Sequence, residues 1–219
     1  MKRFLHILML TALLGISPRT QLLSNSSDSL AGQKIFQAAS DYVFSGRKLD
    51  LRITNMDKKG NAFYSTGYFV ALPQAGYMKI DGVSEFQYSN TLVTSYNYGT
   101  NEYIIQKRRT TSSSVSDNPF SILAKSDKGV AVSEPQAGDV AGRACTKIEV
   151  TPNGKAYYTK AFIYVSDSGQ LLRITIVLKK DQAFVVDILK AGPCEPDKVA
   201  DYRLLVSDHP GAEIVDLRD

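Results

Sequence analysis

Few residues in this chain have a type and spacing that could do covalent chemistry. Of the two histidines, His6 lies in an apolar N-terminal run and His209 precedes Pro210-Gly211. A lone imidazole does not make a His-rich metal site, and no Cys/His cluster has zinc spacing. The phosphate-binding glycine-lysine loop, the dinucleotide fingerprint and the nucleophile elbow are all missing. Acidic residues such as Asp81, Asp167 and Asp181 fall at turns, where a carboxylate satisfies backbone donors rather than moving protons. Lys107-Arg108-Arg109 is a basic run at a strand end and reads as a solvated edge. No catalytic residue, metal ligand or cofactor is therefore assigned, and an enzyme is not expected.

The two cysteines are the other candidates. Cys145 sits in a strand-like run and Cys194 in the turn Gly192-Pro193-Cys194-Glu195-Pro196. In an exported chain such a pair can bridge, closing a loop of about 50 residues for roughly 4 kcal/mol. The alternative is two part-buried thiols.

Export is suggested by the first twenty residues. Met1-Lys2-Arg3 is a basic start, Phe4 to Ile16 is an apolar run, and Ser17-Pro18 ends it. The run is too short for a membrane span of about 20 residues and has the plan of a signal peptide, with cleavage expected between residues 18 and 29. Residues 28–219 then form one domain. The formal charge of +4 belongs mostly to the leader, because residues 1–20 hold Lys2, Arg3 and Arg19 and no acid. A nearly neutral remainder is not expected to bind nucleic acid.

What is left is a pattern of apolar residues and the elements that carry it. Ser29 to Ser45 reads as a helix, with Ile35, Ala38, Ala39, Tyr42 and Val43 on one face. From Lys48 the period becomes two, as Leu49, Leu51 and Ile53 alternate with Asp50, Arg52 and Thr54. Strands are expected at 62–72, 76–81, 83–88, 91–97, 102–108, 143–151, 156–165, 171–179 and 182–190. Asn118 to Lys125 reads as a short helix with Asn at its cap and Pro at its first position. With 12 Tyr, 9 Phe and no Trp, the composition also leans to strands. Short strands at even spacing make an antiparallel meander that curls into a sandwich or barrel. Strands 62–72 and 156–165 carry apolar residues at both parities, which suits a sheet whose concave face is covered. That face either packs into a filled core or leaves room for a ligand.

Several segments resemble LolA-type outer-membrane lipoprotein carriers. Gly67-Tyr68-Phe69-Val70-Ala71-Leu72-Pro73 through Tyr77-Met78-Lys79-Ile80 is similar to the family's G-x-F-x-x-x-x-P segment and the strand after it. Leu92 to Asn97, Asn101 to Ile105, Asn118 to Leu123 and Pro210 to Arg218 follow in the family's order. The resemblance implies a mainly β fold with a few helices (α+β), a curved antiparallel incomplete barrel of about 11 strands with helices over its open side. It implies a periplasmic monomer that carries lipoprotein acyl chains from an inner-membrane release complex to an outer-membrane acceptor; the alternative is a periplasmic binding protein or sensor for another lipid or apolar molecule that uses the same half-barrel. Strand periodicity and this geometry together make Leu49, Leu51, Ile53, Phe69, Met78, Ile80, Ile105 and Ile174 the expected inner, ligand-facing surface. Phe120 and Leu123, with Ile122 as the weaker contact, would anchor a lid. Leu72 stands where the family often has a lid-latching Arg, so that latch is not available here.

Overall fold

The computed structural model describes residues 24–72, 75–108, 118–124, 129–179 and 182–218. The leader and the Ser/Thr stretch 110–116 lie outside them. The helix α1 (Ser24–Phe44) begins five residues before the expected start. The strands are β1 (Arg47–Met56), β2 (Ala62–Leu72), β3 (Ala75–Ile80), β4 (Ser84–Tyr88), β5 (Leu92–Asn97) and β6 (Glu102–Lys107). They continue with β7 (Val130–Val132), β8 (Gln136–Val140), β9 (Arg143–Pro152), β10 (Tyr158–Val165), β11 (Leu171–Leu178), β12 (Ala183–Pro193) and β13 (Glu213–Leu217). All belong to one unclosed sheet, in the order β13-β6-β5-β4-β3-β2-β1-β12-β11-β10-β9-β7, with β8 also on β9. The sheet therefore has more strands than the eleven or so expected. The additions are the short edge pieces β7 and β8, from a segment that reads as loop, and β13.

Period-two alternation gives the sheet two faces. One cross-strand row on the inner face runs Leu49, Phe69, Met78, Phe86, Ser95, Ile104, by direct register pairing. Another runs Ile53, Val186, Ile174, Ile163, Ile148. α1 lies on this face and buries Phe36, Ala39 and Val43 against it. Its approach is close: a Cβ on Gly32 would sit 2.1 Å from the carbonyl oxygen of Ser133, so only glycine fits there.

On the outer face, the chain leaving β12 crosses β2 to β6 before adding β13 to β6. β13 pairs parallel to β6, whereas the other pairings are antiparallel. The crossing is held at each step. Tyr202 packs on Tyr68 and Tyr77, and the Leu204 amide donates to Gln87 Oε1 at 3.0 Å. Tyr103 donates its hydroxyl to the Leu204 carbonyl at 3.0 Å, and His209 stacks on Tyr96 with ring centroids 3.6 Å apart.

Candidate functional site

The inner face divides into a covered half and an open half. Beneath α1, the segment 118–124 enters the core. Asn118 accepts a hydrogen bond from the Phe120 amide at 3.0 Å and caps the 3-10 turn Pro119–Ile122, which is shorter than the helix expected over 118–125. Phe120, Ile122 and Leu123 are each at most 1 % exposed, so Ile122 is as deep as the other two. Phe120 meets Phe69 with ring centroids 4.7 Å apart. The Ser40 hydroxyl of α1 donates to the Leu123 carbonyl at 2.9 Å, and Ser121 shares a hydrogen bond with Tyr157 at 3.2 Å. These neutral bonds hold the segment in place.

The open half is a groove of ≈ 330 Å³. Ile53, Ile80, Val83, Phe86, Ile104 and Phe184 give its apolar wall. Asn55, Ser65, Ser84, Ser95 and Asn97 lie between them, and among the described residues no ionised side chain lines it. Phe63, on the same face beyond Asn55, is largely exposed.

Of the eight residues expected to face a ligand, Ile53 and Ile80 line this groove. Leu49, Leu51, Phe69, Met78 and Ile174 share the inner face, but in the packed core rather than along the groove. Ile105 lies on the opposite face, with Tyr103 and Leu204. The correction follows from register: Ile104 pairs with Ser95 on the inner face, so its neighbour must point out. Phe86, Val83, Ser95, Ile104 and Phe184 escape a reading of the sequence. Adjacent Ile104 and Ile105 are equally apolar, and only pairing with β5 decides between them.

The two cysteines are free. Cys145 is on β9 and Cys194 follows β12, with β10 and β11 between those strands, too far for a bond that needs Cβ atoms about 4 Å apart.

Buried carboxylates occur on the outer face. Asp187 accepts from Arg173 Nε at 2.6 Å and from Arg52 Nη2 at 2.8 Å. Burial pushes its carboxyl up, and the hydrogen bonds and charges of the two arginines outweigh this, holding it below the usual carboxylate range. Glu85 is also buried; it accepts from Tyr77 at 2.5 Å and from Tyr98, and pairs with Lys79 at 2.9 Å. Burial again works upward and those donors win, so it too is held low. Both groups are saturated with partners, which suits ion pairing and not proton transfer. Among the described residues no group of three or more His, Cys, Asp or Glu could hold a metal ion, and no helix is long and apolar enough to cross a membrane.

No family model matches the chain, and no curated protein matches it. Solved structures do match. An uncharacterized conserved protein from Thermus thermophilus is 11 % identical, with 84 % of this chain and 98 % of that one covered at a TM-score of 0.54. This shows a shared fold. The curved, unclosed antiparallel sheet under a covering helix is also the architecture that the resemblance in the sequence implies. The shared fold is an open, curved sheet under one helix. The LolA superfamily protein NE2245 from Nitrosomonas europaea matches at a TM-score of 0.43, 12 % identical over 80 % of this chain and 98 % of that one. LprF from Mycobacterium bovis matches at 0.41, 16 % identical over 75 % and 94 %.

Proposed function

We propose that this chain is an exported carrier that covers the hydrocarbon part of a lipid, or of a lipid-modified protein, while it crosses water between two membranes. The observation that carries this reading is the groove on the inner face. A filled sandwich would bury Phe86 and Ile104 as deeply as Phe69 and Met78, yet both are only half-buried beside an open volume of ≈ 330 Å³. An acyl chain left in water costs about 0.8 kcal/mol per CH₂, so a carrier must hide it. Segment 118–124 is the lid in this reading, with Phe120, Ile122 and Leu123 as its anchors. The inner-membrane donor and outer-membrane acceptor are the partners implied by the family resemblance.

The test is displacement of the neutral dye N-phenylnaphthylamine from purified, delipidated protein by lipids, alongside native mass spectrometry of protein taken from the periplasm. Co-purifying lipid and displacement that is lost in Ile104→Trp are expected. A lipid-free protein that neither binds the dye nor yields to any lipid overturns the reading. N-terminal sequencing checks export; a soluble cytoplasmic form that keeps Met1 would contradict it.

A further inference from the structure

We propose that the groove accepts the single hydrocarbon chain of a lipid whose polar head is uncharged, of the glycerol-ester or long-chain alcohol class. This rests on the carrier reading and narrows it.

Size sets the first limit. The volume of ≈ 330 Å³ lies at the small end of ligand pockets, which run from about 300 to 1,000 Å³. While segment 118–124 is seated, the groove does not lengthen under α1. In the row that continues from Phe86, Met78, Phe69 and Leu49 are essentially fully buried, with the tilted ring of Phe120 packed on Phe69. A chain entering past Phe63 and Phe184 meets that wall and stops, and a second or third chain has no place beside it.

Charge sets the second limit. Among the described residues the lining holds no cation, so a carboxylate or phosphate drawn into the groove would lose water and gain no partner from them, at a cost of several kcal/mol. Glu102 is paired with Asn97 at the end of the inner-face row through Ile80 and Ser84, and it opposes a second negative charge there. The polar groups that are present are of another kind. The hydroxyls of Ser65, Ser84 and Ser95 line the groove, on three different strands, and have no hydrogen-bond partner among the described residues. A hydroxyl donates and accepts, so it matches an alcohol or ester as readily as water. A dry hydrocarbon would leave these groups unpaired, while an uncharged polar head satisfies them.

The experiment compares monolauroylglycerol, laurate and a tripalmitoylated cysteine peptide as displacers of N-phenylnaphthylamine from the full mature chain. It is run at about pH 8, where laurate is ionised. Monolauroylglycerol is expected to displace the dye at roughly tenfold lower concentration than either competitor. The Ser84→Ala/Ser95→Ala variant should shrink its advantage over laurate by at least threefold while dye binding persists. Glu102→Gln, at a half-exposed position, should improve laurate and leave monolauroylglycerol unchanged. Laurate or the triacylated peptide binding as tightly as monolauroylglycerol overturns this inference and leaves the carrier reading intact. Failure of all three to displace a bound dye overturns both.

Discussion

The two halves of the inner face start from the same material and end differently. Both are rows of apolar residues on adjacent strands with one period-two pattern. Under α1 the row is sealed: Phe36, Val43, Phe120, Ile122 and Leu123 fill the space above Leu49, Phe69 and Met78. A few residues along, the same sheet carries Phe86 and Ile104 half-buried beside the groove, with Phe184 buried at its edge. What differs is the supply of covering side chains and not the sheet. The covered half also has few polar residues, whereas the open half interleaves serine and asparagine. The helix thus covers one half of the face and leaves the groove at the other.

Substitutions can break this contrast or sharpen it. The largest effect is expected at Phe69→Ala, about 3–5 kcal/mol, because the ring leaves a cavity that a packed surround cannot close. Chemical denaturation measures it; a loss near 1 kcal/mol would mean that the covered half is as loose as the groove. Next come the neutral bonds that seat segment 118–124. Asn118→Ala removes the cap and Ser40→Ala the bond to the Leu123 carbonyl, each at about 1 kcal/mol. Hydrogen exchange should show 118–124 opening more readily in both variants while the central strands keep their protection. Ile104→Ala should cost less, about 0.5–1 kcal/mol, since its side chain is only half-buried beside the groove. It should weaken lipid displacement even so. A core-sized loss there with unaltered binding would place Ile104 in ordinary core.

A last, smaller effect belongs to the outer face and serves as a reference for both halves. Asp187 is held low by Arg52 and Arg173, so its contribution is present above the unfolded carboxylate value of about 3.9 and is lost as pH falls through the lower folded value. The denaturation midpoint should drop across that acidic window, and less steeply in Asp187→Asn. A steeper drop in the variant would contradict the sign. Phe69→Ala and Ile104→Ala should leave this slope alone.

The sequence makes most strands legible because alternation and turn residues agree from Lys48 to Lys190. It does not reveal why strand 62–72 is apolar at both parities. A covered concave face accounts for Phe69 and Ala71, but Tyr68 is apolar for another reason. It sits under Tyr202, which arrives from more than a hundred residues downstream. The split between filled core and groove is hidden for the same physical reason. Ile80 and Met78 look alike along the chain, and only the reach of α1 and Phe120 separates them. β7 is three residues long and leaves almost no periodic signal.

The parallel strand β13 has a mechanical consequence. The chain between β12 and β13 is anchored at both ends and runs along the outside of a bent wall, touching it at Tyr202, Leu204 and His209. A tape on the outside of an arc is stretched when the arc tightens and goes slack when it flattens. Here the tape limits tightening: β6 cannot swing toward the helix side without pulling on its own attachment to β13. The contacts at Tyr202, Leu204 and His209 therefore resist a tightening of the sheet that would narrow the groove.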